Sequence, residues 1–261
     1  MIEANSLASI LVQCAELIVL GALLALLIRL FCFRHNEQVI STPRVSAMWA
    51  LFAIGMGWIL VIVLLLALTG HAPTNSQGAA QWPLVGPGDV AAQLILAIIS
   101  VGPILFVMHR RREYPASAGI SAQNLWRSLA VSALIISAAG VWYCFVNRRS
   151  GAGASCHASG LWALMQLAIV GFTEEFAYRG YLQTRLIGWL GSYQGWILAS
   201  VLMAMAHVGH RVGIEGMAAG EALLSAAALI PISLFLGFVM LRTQNIVAPG
   251  LLHMFVNWLD I

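Results

Sequence analysis

The sequence contains no lysine and little charge of either sign. Charged residues make up 9% of the 261 positions, and all 13 basic residues are arginine. A soluble domain carries about 25% charged residues, whereas this chain is 61% apolar. The composition therefore excludes an ordinary soluble domain and indicates an integral membrane protein. The formal net charge of +3 is too small and too dispersed to indicate a nucleic-acid partner.

Several motifs with known chemistry are also absent. The chain has no HExxH zinc motif, and its four cysteines show no CxxC spacing. It shows no internal repeat of the kind on which many secondary transporters are built. Neither an HExxH zinc protease nor a CxxC site is therefore indicated.

Long apolar runs divide the chain into membrane segments. Because about 20 apolar residues cross the hydrocarbon of a bilayer, the sequence predicts an all-α, polytopic bundle of about eight transmembrane helices. Residues 1–150 hold four of them as an N-terminal membrane region, and residues 151–261 hold the other four within the same integrated bundle. The predicted segments are residues 7–33, 45–69, 89–108, 125–146, 161–186, 193–210, 217–241 and 246–261.

The arginines predict the orientation. Cytoplasmic connections are enriched in arginine and lysine, and nine arginines flank the odd-numbered connections against three at the even-numbered ones. We therefore expect the odd-numbered connections in the cytoplasm and both termini outside, and the arginine-only composition suggests a bacterial inner membrane. The nine are Arg29, Arg34, Arg44, Arg110, Arg111, Arg112, Arg127, Arg185 and Arg242.

Two adjacent carboxylates, Glu174 and Glu175, interrupt the fifth apolar segment. A charged side chain at the centre of a membrane helix costs roughly 2.5–3.5 kcal/mol on insertion, so it indicates function by default. Glu175 and Arg179 are four residues apart, and in a helix they face the same way and can pair. Glu174 lies about 100° around the axis, on a face shared with Tyr178, and no local charge neutralises it. We predict a structural role for Glu175 and a chemical role for Glu174.

Polar residues recur in two later apolar segments. His207 lies in the sixth segment, and His253 and Asn257 lie four residues apart in the last one. Because buried polar groups need partners, these residues are expected to share one cavity with Glu174. A carboxylate and a histidine can activate a water as general base, while a second histidine and an amide can stabilise an oxyanion. The set suits hydrolysis of an amide bond.

Two further glutamates lie within apolar segments and have no assigned role. Glu16 is in the first segment, and Glu221 is near the start of the seventh. Each either marks a polar pathway, or bonds an interfacial water or a neighbouring helix. Neither is included in the predicted site.

The motifs of the last four segments resemble those of a family of membrane proteases. Glu-Glu-x-x-x-Arg at 174–179, His207 on the next helix and His-x-x-x-Asn at 253–257 are similar, in this order, to the CAAX-protease and bacteriocin-processing (CPBP) family. Its best-known branch is the type II CAAX prenyl endopeptidase. The resemblance covers about residues 161–257 and departs from the family at Met203, where phenylalanine is usual.

The resemblance implies an intramembrane endopeptidase and a role for each motif residue. Glu174 and His207 would activate the attacking water, and His253 and Asn257 would stabilise the oxyanion. Arg179 would hold the motif helix through the adjacent carboxylate. The expected substrate is a membrane-associated peptide or protein, reached from the cytoplasmic side of the bilayer.

Members of this family have been described both as metalloproteases and as metal-independent glutamate proteases. Glu174, His207 and His253 could together ligate zinc. However, Glu175 is expected to be occupied by Arg179, and an arginine beside the site disfavours a dication. The metal-free mechanism without a cofactor is therefore favoured, and zinc is the alternative.

Two other functions remain alternatives. Polar residues that only fasten helices, as in a membrane scaffold or an immunity-type protein, would gain about 0.6 kcal/mol for each interhelical hydrogen bond. A proton-coupled transporter could use the same residues as a relay, and Pro231 and Pro249 do interrupt late segments. Proteolysis is preferred because the polar set is large for a fastening role and the sequence has no repeated half.

Overall fold

The computed structural model of the protein describes residues 4–33, 40–69, 85–150, 160–213 and 215–259. All regular secondary structure in these ranges is helical, which confirms the predicted fold class. The α-helices are α1 (Ala4–Phe31), α2 (Pro43–Thr69), α3 (Pro87–Arg110), α4 (Leu125–Ser150), α5 (Leu161–Glu175), α6 (Thr184–Leu190), α7 (Ser192–Gly213), α8 (Ala219–Ala227), α9 (Ile230–Thr243) and α10 (Val247–Leu259). A 3₁₀-helix covers Pro115–Ala118, and a π-helix covers Phe176–Gln183.

The first four helices are the long membrane spans. Helices α1 to α4 are each long and apolar enough to cross a bilayer, and α8 with α9 forms a bent fifth candidate. Among the described residues, length and composition thus give four or five spans, against the eight predicted. The difference arises in the C-terminal half, where a π-helix separates α5 from α6 and where α10 has only 13 residues.

The seventh predicted segment, residues 217–241, is a broken helix in the structure. Helix α8 ends at Ala227 and α9 begins at Ile230, with a bend of 41° between them. Pro231 follows directly, near the start of α9. Proline lacks a backbone N–H and its ring clashes with the carbonyl four residues earlier, so an uninterrupted helix through this position is disfavoured.

Glycine packing places α5 directly against α10. A Cβ on Gly171 would lie 3.2 Å from the backbone nitrogen of Met254 and 3.3 Å from the carbonyl oxygen of Gly250. Close backbone approach at small residues is typical of helix interfaces in membranes. The contact brings Glu175, at the end of α5, beside His253 on α10.

Polar contacts join the arginine-rich ends of three helices. Glu113, just after α3, lies 2.8 Å from the Arg185 guanidinium of α6 and 2.9 Å from Arg111 Nε. Burial raises the pKa of Glu113, but Arg185 and then Arg111 lower it more, so the net pKa is below its ordinary value. Arg111 also donates to Ser46 Oγ of α2 at 2.7 Å. These ends therefore meet on one side of the bundle, in agreement with the arginine pattern along the sequence.

The two glutamates without an assigned role have separate surroundings. The indole Nε1 of Trp142 on α4 donates to Glu16 Oε1 of α1 at 2.9 Å, so Glu16 bonds a neighbouring helix. Glu221 lies in the first turn of α8 and is exposed. Neither residue belongs to the site described below.

Gly180 provides a test of the packing around the π-helix. A Cβ at this position would overlap the carbonyl oxygen of Ala118 in the 3₁₀-helix, so Gly180→Ala should destabilise the protein by about 1–3 kcal/mol. Thermal unfolding in detergent measures the effect. Gly102→Ala is the matched control, because nothing lies within 4 Å of its Cβ position. Equal unfolding midpoints for the two variants would contradict this packing.

Candidate active site

The helix that carries the two glutamates changes its winding directly after them. Helix α5 ends at Glu175, and the chain continues as a π-helix to Gln183. Such segments are rare and occur frequently at functional sites. Both Tyr178 and Arg179 lie in this wider turn and are buried. The sequence pattern predicted only an ordinary helix here.

Glu175 is fully buried and lies among hydrogen-bond donors. Arg179 Nε lies 3.3 Å from Glu175 Oε2, and His253 Nδ1 lies 2.9 Å from Glu175 Oε1. The Arg179 guanidinium also donates to Ser233 Oγ on α9 at 3.0 Å. Ser233 Oγ in turn donates to the carbonyl oxygen of Ser200 on α7 at 2.8 Å. The predicted pair of Glu175 with Arg179 is thus present, and its contacts join four helical elements.

Glu174 faces a different environment. Its Oε2 atom is buried and has no hydrogen-bond partner. His207 Nε2 lies 4.0 Å from this oxygen, and His253 Nε2 lies 3.9 Å from it. Direct N···O hydrogen bonds measure about 2.7–3.2 Å, so both separations are too long for one. Separations of this size are typical of polar groups that a water bridges.

The hydrogen bonds of the two histidines define their neutral tautomers. His207 Nδ1 lies 3.0 Å from the carbonyl oxygen of Met203, and His253 Nδ1 lies 2.9 Å from Glu175 Oε1. Both partners only accept hydrogen bonds, so each Nδ1 carries the proton. Each Nε2 is then an acceptor turned towards Glu174. The three atoms are all acceptors, and a water between them can donate to two of them at a time.

Asn257 is the predicted site residue that the structure does not bring into contact. It lies one turn after His253 on α10 and is half-buried. No hydrogen bond joins it to Glu174, His207 or His253 among the contacts of the described residues. Its role as an oxyanion donor therefore stays a prediction from the sequence.

A cavity of about 400 Å³ begins at Glu174 and extends between α2, α3 and α7. Tyr178, Trp58 and Gln93 contribute polar groups to a largely apolar wall. Tyr178 was identifiable from its position on the same helix face as Glu174. No sequence pattern indicates that Trp58 and Gln93 line this cavity, because they are distant along the chain from the helix that carries Glu174.

The cavity lies towards the arginine-poor end of the bundle. Its lining on α2 reaches Leu65, its lining on α3 begins at Gln93, and on α7 it includes Gly213 at the end of the helix. On α2 and α3 these positions are remote from Arg44 and Arg110, whereas α7 carries Arg211 at the same end as the cavity. The position of the cavity therefore does not support the predicted access from the cytoplasmic side.

The zinc alternative can be compared with the observed spacing. Zinc binds carboxylate and imidazole ligands at about 2.0–2.2 Å in a tetrahedron, which puts neighbouring ligand atoms roughly 3.3–3.6 Å apart. The separations of 3.9 and 4.0 Å from Glu174 to the two histidines are wider than this. In the ranges that the structure describes, no group of three or more His, Cys, Asp or Glu side chains is arranged to hold a metal ion.

The fold and the site together define a polytopic helical membrane protein with a Glu/His cluster inside the bundle. Residues 156–259 match the family model described as type II CAAX prenyl endopeptidase Rce1-like. Searches of curated proteins and of solved structures found no match.

This C-terminal region is therefore similar to the CAAX-protease family, and the resemblance indicated by its motifs is confirmed. The matched region contains every predicted site residue and supports a membrane protease of the CAAX type. Helices α1 to α4 lie entirely outside the match. The predicted division of the chain near residue 150 stays a prediction, although the match begins close to it.

Substitution of Arg179 tests whether its buried ion pair with Glu175 stabilises the protein. Removing one partner of a buried ion pair leaves an uncompensated charge and costs about 3–5 kcal/mol, so Arg179→Met should lower stability by that amount in thermal unfolding. Arg112→Met is the matched control, since Arg112 is exposed at the end of α3. If Arg179→Met unfolds at the same temperature as its control, the buried cluster does not hold the helices together.

Proposed function

We propose that the protein hydrolyses a peptide bond at membrane depth, with a water that Glu174 and His207 activate. The observation that carries the proposal is the buried Glu174 Oε2, which has no hydrogen-bond partner and faces two histidine Nε2 atoms. Glu175 also has an Oε2 atom without a hydrogen bond, but that oxygen lies 3.3 Å from the Arg179 guanidinium, and its Oε1 lies 2.9 Å from His253 Nδ1. Glu174 Oε2, in contrast, faces only histidine nitrogens at 3.9 and 4.0 Å. The unpartnered oxygen therefore favours chemistry over the scaffold alternative.

In the proposed reaction, water gives one proton to the base formed by Glu174 and His207. Its oxygen attacks the carbonyl carbon, and the new C–O bond produces a tetrahedral oxyanion. The C–N bond then breaks, and the base returns the proton to the leaving nitrogen. One water is consumed, and the products are a carboxylic acid and an amine. General acid–base catalysis of this kind contributes typically about 10²–10⁴-fold to the rate.

His253 is the proposed donor to the oxyanion. Because its Nδ1 hydrogen is engaged by Glu175 at 2.9 Å, it can donate from Nε2 only as an imidazolium. The Glu175 carboxylate would balance that charge. Asn257, one turn further along α10, is the second proposed donor. Preorganised donors at an oxyanion are typically worth about 10²–10³-fold in rate each.

We favour the reaction without a metal. The ligand spacing around Glu174 is wider than tetrahedral zinc requires, and Glu175 is already occupied by Arg179 and His253. A guanidinium next to the site would also oppose a dication. If a metal were bound, Glu174, His207 and His253 would be its ligands, and Glu174 would no longer act as the base.

The proposed substrate is an apolar segment of a membrane-associated peptide or protein. The cavity beside Glu174 has a volume of about 400 Å³, which lies within the range of about 300–1,000 Å³ for ligand sites. Its wall is mostly apolar, as a substrate dissolved in lipid requires. A bacterial inner membrane is the proposed location, and the position of the cavity favours approach from its arginine-poor half.

Glu174→Gln is the first test of the reaction. The amide cannot accept the proton of water, so cleavage of a quenched fluorescent peptide library by the reconstituted protein should fall at least about 10²-fold. Thermal unfolding should be unchanged, because Glu174 Oε2 has no bond to lose. Glu221→Gln, an exposed substitution on α8, is the control and should keep full activity. Wild-type rates in Glu174→Gln would contradict the proposal.

A second test separates the two histidines of α7. His207→Gln removes an Nε2 acceptor close to Glu174 and should reduce the cleavage rate by about 10²-fold or more. His210 lines the cavity but pairs with Glu215 at 3.1 Å and has no contact with Glu174 among the described ion pairs, so His210→Gln changes only the cavity wall and should alter the rate by less than about tenfold. The measurement is the initial cleavage rate of each variant on the same peptide. A larger loss from His210→Gln would mean that the base has been assigned to the wrong ring.

A further inference from the structure

The cavity wall opposite Glu174 is built by a part of the chain that the family match does not include. Helices α2 and α3 supply more than half of the residues around the cavity, and both precede residue 156. The proposed chemistry therefore comes from the matched region, whereas the shape of the space beside it comes from these two helices. A residue that selects substrates is to be sought on them.

Trp58 of α2 is a residue of this wall that forms a hydrogen bond to the helix carrying Glu174. Its indole Nε1 donates to the hydroxyl oxygen of Tyr178 at 2.9 Å. Tyr178 is buried and lies one turn after Glu174 on the same helix face. The hydrogen bond satisfies an indole N–H within an apolar environment and fixes the ring at the wall of the cavity. Trp58 is thus a large, oriented side chain beside the proposed position of the scissile bond.

The backbone next to Trp58 is also held in place. A Cβ on Gly57 would overlap the carbonyl oxygen of Ser100, so α2 and α3 pack backbone against backbone at this level. Ser100 itself lines the cavity. Because the helix cannot slide without breaking this contact, the indole ring has little freedom to move away from a bulky ligand.

We propose that Trp58 is a specificity-determining residue, which limits the size of the apolar side chain that a substrate places beside the bond to be cleaved. The proposal rests on the proposed hydrolysis at Glu174 and names a residue that selects its substrate. The bulk of the ring sets the limit, and its hydrogen bond to Tyr178 keeps the ring in position. Trp58→Ala should therefore open the site to larger side chains, while Trp58→Phe should retain most of the restriction.

The experiment uses short capped apolar peptides that differ only in one central residue, which is alanine, leucine or phenylalanine. Cleavage is measured with the full-length protein in lipid nanodiscs, and binding is measured by fluorescence anisotropy in the Glu174→Gln background. In both assays the phenylalanine peptide is compared with the alanine peptide. Trp58→Ala should raise the ratio of their cleavage rates, and the ratio of their affinities, by about tenfold, as expected for a change in pocket size. Trp49→Ala is the matched control, because Trp49 lies on the same helix, is exposed and does not line the cavity.

The two assays separate this inference from the proposed hydrolysis. If the wild type binds the peptides but cleaves none, the proposed reaction fails, and the binding ratio still decides the role of Trp58. If cleavage occurs and Trp58→Ala keeps the wild-type ratio, the role of Trp58 is overturned and the reaction stands. The same shift in Trp49→Ala, or no binding by any variant, also overturns the role of Trp58.

Discussion

A carboxylate inside a membrane protein can stay charged only where protein groups replace the water that it has lost. Glu175 meets this condition through Arg179 on one side and His253 on the other, at 3.3 and 2.9 Å. Arg179 extends the cluster to Ser233 of α9. The remaining architecture of the site depends on this arrangement, because it holds α5, α9 and α10 in a fixed relation and turns the His253 ring towards Glu174.

The neutralised carboxylate also explains how its neighbour can be reactive. Because Glu175 is paired with Arg179 and hydrogen-bonded to His253, Glu174 faces only ring nitrogens that accept hydrogen bonds. In the proposed reaction, two adjacent residues of one helix thus have opposite roles, Glu175 in structure and Glu174 in chemistry. The cavity beside Glu174, which is the proposed substrate site, is completed from the other half of the chain by Trp58 and its neighbours on α2 and α3.

Much of the site was predictable from sequence, because spacing along a helix determines which residues share a face. The pair of Glu175 with Arg179 follows from a separation of four residues, and the shared face of Glu174 and Tyr178 follows in the same way. Contacts between distant segments were less accessible. The hydrogen bond between Trp58 and Tyr178 and the direction of the cavity depend on how the helices tilt and pack. Helix tilt and packing cannot be predicted from local sequence patterns. The break before Pro231 was visible as a proline, but the sequence did not show that the helix ends there.

The measurement that tests the central claim most directly is an experimental density map of the Glu174 site, with anomalous scattering recorded at the zinc edge. The account predicts an ordered water within hydrogen-bond distance of Glu174 Oε2 and of the Nε2 atoms of His207 and His253, without an anomalous peak. A metal at about 2.0–2.2 Å from these three atoms would contradict the metal-free mechanism. A direct protein hydrogen bond to Glu174 Oε2, with no room for water, would contradict the proposed catalysis as a whole.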